Sequence, residues 1–191
     1  MGIVLASHSM SLDGFIAQTD GKAGPLHEWL WTGEHQSRHG GNFKLSETSL
    51  EWFDGLIDRL GATIAGRRTY DDSDGWGGEL PFDWPYFIVT HELPDDAEEL
   101  PFTFVTEGVE RAVELAKAAA GDKDVSLMGG DMVGQVLSAR LLDEINVDLV
   151  PILLGDGVRL LDERATAAVE LELERIVDAP GVTHLSFRVL R

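Results

Sequence analysis

The sequence VSLMGGDM, residues 125–132, decides the fold of this chain. Its first four residues form a mostly apolar run that predicts a short buried strand. Beyond the glycines, apolar residues recur at helical spacing, at Met132, Val133, Val136, Leu137 and Leu141. Gly129 and Gly130 therefore lie where a strand turns into a helix. Such a turn offers free backbone N–H groups and the positive end of a helix dipole, so it predicts a pyrophosphate seat, although similar turns also exist that bind nothing.

A second turn of the same kind lies upstream. Gly66-Arg67-Arg68-Thr69 follows the apolar run 62–65 and can open a helix. The arginines offer forked cationic donors for phosphate, and a helix start with solvated arginines is the alternative. Together the two turns predict a dinucleotide site, with the pyrophosphate at one turn and a phosphate of the adenosine end at the other. Arginine near the ribose is how NADPH is distinguished from NADH.

The order of the predicted elements indicates an α/β fold. Strand and helix patterns alternate until about residue 154. Two segments of alternating polarity follow, 169–177 and 183–190, with Pro180-Gly181 between them. This order predicts a mostly parallel central sheet flanked by helices, with a C-terminal antiparallel hairpin at one edge.

Two local expectations concern the segment before Gly66. Thr48 and Glu51 have capping-box spacing and predict a helix from about Thr48 to Leu60. The loop before this helix is long, which is uncommon in a compact domain unless the loop is functional. His35 and His39 in that loop have the spacing of a helical metal pair, but nearby glycines disfavour a helix and no third ligand is evident. Solvated histidines and no metal site are therefore expected.

Polar turns follow four predicted strands, at Asp13-Gly14, Gly66-Arg67, Thr90-His91 and Gly129-Gly130. Because ligands of such sheets bind beyond the carboxyl ends of the parallel strands, these turns predict one shared site. Thr90-His91 would suit the adenosine ribose or base, or be an ordinary strand-end turn. Asp13 could hold a substrate amino or hydroxyl group, or be a turn aspartate followed by a glycine with unusual backbone angles.

The composition narrows the range of partners. The chain has 15 basic and 34 acidic residues among 191, and its formal net charge of −19 argues against nucleic acid and anionic membrane as partners. The absence of cysteine excludes disulfides, thiolate nucleophiles and cysteine metal sites. No apolar stretch approaches membrane-spanning length and no secretory pattern opens the sequence, so one cytoplasmic domain over residues 1–191 is expected.

Taken together, these motifs resemble the dihydrofolate reductase-like superfamily. The chain is most similar to the C-terminal reductase domain of bifunctional riboflavin-biosynthesis deaminase-reductases. The resemblance covers nearly the whole chain and rests on residues 11–17, 66–70, 88–90, 129–141 and 143–157. It implies a dihydrofolate reductase-like three-layer α/β fold with helices on both faces of the sheet, NADPH as cofactor, a small-molecule substrate and a homodimer.

The resemblance also implies roles for individual residues. The adenosine-side phosphates would contact Gly66, Arg67, Arg68 and Thr69, and the adenosine would lie by Thr90 and His91. The pyrophosphate and nicotinamide would contact Gly129, Gly130, Asp131 and Met132. The nicotinamide and the substrate would be lined by Ala6, Ile16 and the loop near Asp13-Gly14. Asp13 is the candidate catalytic residue on the substrate side.

The reaction implied by the resemblance is hydride transfer from NADPH that reduces the ribosyl C1 centre of an aminouracil ribosyl phosphate to a ribityl chain. True dihydrofolate reductases carry a carboxylate a few residues before a Trp-Phe pair, and here Ser49 lies near that position, before Trp52-Phe53. The His-x-x-Arg helix motif of the riboflavin-pathway reductases is absent from residues 51–57. A dihydrofolate or pteridine reductase and a non-catalytic NADPH-binding or sensor protein therefore stay open as alternatives, with flavin binding as a further one.

Overall fold

An eight-stranded sheet runs through the part of the chain that the computed structural model describes, residues 2–161 and 168–190. The strands of the described residues are β1 Val4–Ser11, β2 Phe15–Ala17, β3 His35–Gln36, β4 Lys44–Leu45, β5 Leu60–Gly66, β6 Tyr86–Val89, β7 Thr103–Val105, β8 Asp124–Met128, β9 Glu144–Val150, β10 Val158–Arg159, β11 Leu171–Ala179 and β12 Val182–Val189. Four of these lie outside the large sheet, in the short pairs β10–β2 and β3–β4. The α-helices are α1 Glu47–Arg59, α2 Arg67–Asp72, α3 Val109–Ala120 and α4 Gly130–Ser138. Two 3-10 helices span Gly24–Leu30 and Asp74–Gly78.

The sheet has the strand order β11-β12-β9-β1-β8-β5-β6-β7. All neighbours from β9 to β7 are parallel, while β12 is antiparallel to β9 and β11 is antiparallel to β12. The mostly parallel sheet with a C-terminal antiparallel hairpin is therefore confirmed. Within the described residues, no helix combines the length and the apolar character needed to cross a bilayer.

Alternation along β1 separates the two faces of the sheet. Val4 and Ala6 pack in the core cluster that contains Val113 of α3 and Val133 of α4. Leu5, between them, packs instead against Ile57 of α1. Because successive side chains of a strand point to opposite faces, α1 lies on one side of the sheet and α3 and α4 lie on the other. The three-layer arrangement predicted from the sequence is confirmed.

The sheet opens in its middle, at the carboxyl end of the parallel strands. β1 pairs with β8 only from Val4 to Ala6, opposite Val125 to Leu127. With its other neighbour, β9, β1 stays paired as far as Ser11. The backbones of β1 and β8 therefore separate beyond Ala6 and Leu127. This opening lies directly beside the turn that contains Gly129.

Three local expectations are corrected by the structure. Helix α1 is capped by Ser46, whose side chain accepts a hydrogen bond from the Ser49 N–H at 3.2 Å, so Thr48 lies inside the helix and is not its cap. The long loop before α1 is not irregular throughout, because it contains the first 3-10 helix and the short β3–β4 pair. The alternating region, expected to extend to about residue 154, ends with β9 at Val150, since Pro151 cannot donate to the ladder.

Candidate functional site

A cavity of about 1030 Å³ occupies the carboxyl end of the parallel sheet. It extends from the turns after β5, β6 and β8, past the opening between β1 and β8, to the inner face of α1. Protein pockets that hold small molecules are commonly about 300–1,000 Å³. The volume is thus large enough for a dinucleotide together with part of a second ligand.

Eleven of the twelve residues predicted to contact a cofactor line this cavity. They are Ile16, Gly66, Arg67, Arg68, Thr69, Thr90, His91, Gly129, Gly130, Asp131 and Met132. Ala6 differs, because its side chain is fully buried and packs in the core. The next residues of β1, Ser7, His8 and Ser9, line the cavity in its place. The structure therefore brings the predicted residues together, while the binding of a cofactor to them stays a prediction.

The two glycine-containing turns touch each other. Gly129 has φ +91°, and a Cβ placed on it would lie 2.4 Å from Thr69 Oγ1. A Cβ on Gly130 would lie 2.3 Å from the carbonyl oxygen of Arg159. Only glycine fits at these two positions, and α4 begins there without a side-chain cap on its first N–H groups. The first residues of α4, from Gly130 to Met132, line the cavity.

Charged side chains surround the two turns unequally. Arg67 Nε bonds Asp71 at 2.8 Å, and its guanidinium also donates to the Glu92 carbonyl at 3.2 Å. The Arg68 side chain is 71% exposed, and its one described ion pair, with Asp72, is 3.5 Å long. Arg68 is therefore the freer cation. The Asp131 carboxylate accepts from Gln135, so near Gly130 an anion would be held by backbone N–H groups rather than by side chains.

His8 bridges the opening between β1 and β8. The Gly129 N–H donates to His8 Nε2 at 3.1 Å. Burial, helped by the neighbouring His27, lowers the pKa of His8 to about 4, so its ring is neutral at pH 7. Because Nε2 accepts, the ring proton lies on Nδ1, which is buried and has no hydrogen-bond partner among the described residues. His8 thus lines the cavity with Nε2 bonded to the Gly129 turn and Nδ1 buried, a contact that no local sequence pattern predicts.

Asp13, the predicted catalytic residue, is not among the described residues that line the cavity. It accepts from Ser11 Oγ at 2.6 Å and from the N–H groups of Leu154 and Gly155 at 3.1 and 2.7 Å. Hydrogen bonding from Ser11, added to that from these two N–H groups, lowers the pKa of Asp13 to about 2. An ionised carboxylate with these contacts joins the β1–β2 turn to the loop after β9. Its catalytic role stays a prediction, and its geometry favours a structural one.

The two loop histidines were expected to be solvated, but His39 is half-buried, with Nε2 3.2 Å from Asp58 Oδ1. His35 is exposed on β3, and among the described residues no group of three His, Asp or Glu side chains converges as metal ligands.

The end of the cavity beside α1 is aromatic. Its rings include Trp29, Trp31, Phe43, Trp52 and Phe53, with Phe82, Trp84 and Tyr86 further along the wall. The rings of Trp31 and Phe43 stack at 4.9 Å between centroids. Flat aromatic walls favour a planar ligand, because stacking adds to the gain from burial.

A buried polar row crosses the sheet beneath these rings. Asp148 of β9 is the cross-strand neighbour of Ser9 on one side and of His184 on the other. His184 Nδ1 lies 2.7 Å from Asp148 Oδ1, and His184 Nε2 lies 3.0 Å from Ser49 Oγ. Trp29 Nε1 donates to Ser9 Oγ at 3.0 Å. The sequence analysis missed this row, because its members come from distant segments that share no spacing motif.

Comparison with known proteins identifies the family. The RibD C-terminal domain matches residues 3–185. The chain belongs to this family. RibD C-terminal domains are reductase domains, which agrees with a cavity that joins two nucleotide-type turns to an aromatic pocket.

Solved structures share the fold along the whole chain. A protein from Shewanella sp. PV-4 that is named for riboflavin biosynthesis is 23% identical, with a TM-score of 0.73 and 100% of both chains covered. A deaminase/5-amino-6-(5-phosphoribosylamino)uracil reductase from Thermotoga maritima is 11% identical, with a TM-score of 0.63, covering 99% of this chain and 57% of that one. Dihydrofolate reductase from Enterococcus faecalis, complexed with NADP(H) and RAB-propyl, is 14% identical, with a TM-score of 0.57 and 100% and 98% covered. These likenesses confirm the dihydrofolate reductase-like fold.

The buried neutral His8 makes stability depend on pH. The pKa of His8 is depressed in the folded chain, so between its folded and unfolded pKa values only the unfolded chain binds the proton. As the pH falls from about 7.5 to about 5, we expect His8 to lower the free energy of unfolding by about 2 kcal/mol. His8→Gln, which keeps an acceptor for Gly129, should lose that part of the pH dependence in urea unfolding. Equal pH dependence in both proteins would contradict a buried neutral His8.

Asp13→Asn separates a structural from a catalytic role. We expect it to lower the melting temperature, because three hydrogen bonds to a carboxylate are weakened, while the affinity for NADPH is unchanged. The matched control is Asp20→Asn, at an exposed turn aspartate whose one hydrogen bond among the described residues comes from the Lys22 N–H, and this change should leave the melting temperature unaltered. Loss of substrate turnover by Asp13→Asn without loss of stability would restore the catalytic role.

Proposed function

We propose that this chain is an NADPH-dependent reductase related to the 5-amino-6-(5-phosphoribosylamino)uracil reductase of riboflavin biosynthesis, and that it transfers a hydride to a small heterocyclic or ribosyl substrate. One observation carries the proposal. A single cavity joins the two glycine turns to the aromatic pocket through the opening between β1 and β8. A hydride donor and its acceptor must meet, and this opening is where the two halves of the cavity meet.

The turns fit a dinucleotide phosphate chain. Helix α4 begins at Gly130 without a side-chain cap, and its first residues line the cavity, so its first backbone N–H groups suit a phosphate. Arg68 extends beside the neighbouring turn with most of its guanidinium free for a ribose phosphate. Thr69 adds a hydroxyl at the point where the turns touch. These groups favour NADPH over NADH.

The residues at the opening orient the reacting groups. Reduced nicotinamide supplies the hydride when the cofactor is bound. The chain therefore has to bind and orient the cofactor and the substrate, and to exclude water from them. Met132 and Ile16 give the opening buried apolar walls, and the neutral His8 ring also lines the cavity there. We assign Asp13 the role of holding the loop after β9. The proton that completes the reduction then comes from water.

Reduction of folate is a weaker candidate activity than reduction of a riboflavin-pathway type of substrate. Ser49 of α1 is 1% exposed and engaged with His184, so the helix offers no carboxylate to a ligand at that position. Among the described residues, the carboxylates that line the cavity are Asp72, Asp131 and Asp148, and of these three Asp148 lies at the aromatic pocket.

The proposal includes a cytoplasmic homodimer. The family resemblance suggests the dimer, and β11 supports it, because this edge strand exposes 43% of Leu171, 48% of Leu173 and 58% of Ile176. Exposed apolar side chains on an unpaired sheet edge are a typical surface for a second copy.

Thermal unfolding with NADPH and with NADH tests the proposal. A ligand present at about 100 times its Kd should stabilise the fold by roughly 2.7 kcal/mol. We expect a larger shift with NADPH than with NADH at equal concentration, and we expect Arg68→Ala to remove the difference. The matched control is Arg111→Ala, which removes an exposed helix arginine that pairs with Glu114 outside the cavity. This variant should keep the difference between the NADPH and NADH shifts.

The same samples test turnover. NADPH oxidation should follow addition of an aminouracil ribosyl phosphate or a related ribosyl pyrimidine. Binding of NADPH without oxidation across ribosyl pyrimidines, pteridines and flavins would favour the non-catalytic alternative. The absence of a shift with either nucleotide would overturn the reductase proposal.

A further inference from the structure

We propose that Asp148 is the residue that recognises the substrate, and that it selects a planar heterocycle carrying an N–H or amino group on its edge. Ser49 and His184 act as positioning residues for its carboxylate. This inference rests on the proposed function, because it assigns the substrate half of the same cavity.

The position of Asp148 follows from the sheet register. It lies in β9 between Ser9 of β1 and His184 of β12, so the three side chains form one row on the face that α1 covers. Asp148 is 6% exposed, and it lines the cavity. A carboxylate at such a position loses most of its hydration and needs donors in return.

The first donor is His184, whose ring is fixed. It is fully buried, with Trp52 stacked on it at 5.0 Å and Trp29 edge-on at 5.1 Å between ring centroids. A carboxylate only accepts, so His184 Nδ1–H donates to Asp148 Oδ1. Ser49 Oγ at His184 Nε2 completes the chain of hydrogen bonds. The carboxylate is therefore held in one orientation.

Ser49, His184 and Asp148 are hydrogen-bonded in the order of a nucleophilic triad. Here, however, the aspartate and not the serine lines the cavity. In a hydrolase the serine faces the substrate and the aspartate is buried behind the histidine. Here Ser49 is 1% exposed and His184 is fully buried, and of the three residues only Asp148 lines the cavity. The chain of hydrogen bonds therefore orients the carboxylate and does not activate the serine.

The second oxygen of Asp148 identifies the ligand chemistry. The hydrogen bonds of the described residues use Oδ1 and leave Oδ2 without a protein donor. A ligand that stacks against the tryptophans and brings an N–H to Oδ2 satisfies this acceptor at the cavity wall. An analogue without that N–H leaves it unpaired, which is how such sites reject ligands strongly.

Two pyrimidines with the same substitution pattern and different edge groups test this inference. 2,4-Diaminopyrimidine carries edge N–H donors, and 2,4-dimethoxypyrimidine has none. Calorimetry with saturating NADPH should show that the wild-type chain binds the diamino probe at least about tenfold more tightly. Asp148→Asn should reduce this ratio of affinities to about threefold or less, because the charge that strengthens the hydrogen bond is lost.

Further variants make the test specific. Ser49→Ala should lower the ratio severalfold by releasing the orientation of His184, whereas a merely structural loss would weaken both probes equally. Asp178→Asn, a carboxylate of β11 bonded to Thr183 outside the cavity, is the matched control and should keep the wild-type ratio. If Asp148→Asn does not melt cooperatively, the Ser49→Ala ratio decides the outcome.

The outcomes also separate this inference from the proposed function. If NADPH shifts the melting temperature but the wild type binds neither probe, or binds both alike, the inference is overturned and the reductase proposal stands. An unchanged ratio in both Asp148→Asn and Ser49→Ala overturns it as well. Absence of the NADPH shift overturns the proposed function itself.

Discussion

The hydrogen bond from the Gly129 N–H to His8 Nε2 is the contact on which the architecture of the cavity depends. Neighbouring parallel strands satisfy each other's backbone groups, so two strands can separate only where other partners take over. β1 leaves β8 after Ala6 and continues along β9, and His8 supplies the partner that Gly129 would otherwise lack. The sheet thereby stays intact around an opening at its centre, and that opening connects the two halves of the cavity.

The two halves are built from different kinds of interaction. On one side, two closely packed turns form a surface suited to phosphate. Gly129 and Gly130 are the close-packed positions of one turn, and Arg68 extends from the other. On the other side, aromatic rings cover a row of buried polar groups, of which Asp148 reaches the cavity. In a chain of net charge −19, Arg68 is an exposed cation at the part of the cavity where an anion is expected. The substrate end instead offers an acceptor.

Features built from neighbouring residues could be predicted from the sequence, and features built from distant strands could not. The turn at Gly129 and the helix that begins with Arg67 were predictable, because a strand, a glycine and a helix are adjacent in the chain. The prediction placed Ala6 at the cavity, but alternation along β1 buries it, and the position of the opening depends on pairing with β8. The row of Asp148 and His184 exists only once distant strands are in register, so no local pattern predicted it.

The measurement that tests this account most directly is an NMR titration of the ¹⁵N-labelled protein with NADPH. If the opening between β1 and β8 is the place where the cofactor meets the substrate pocket, the Gly129 and Gly130 amides and the ring nitrogens of His8 should show the largest changes, with smaller ones at Arg68. The amides of β11, at the edge of the sheet, should not move. Changes confined to other parts of the chain, with Gly129 and His8 unaffected at saturation, would contradict the account.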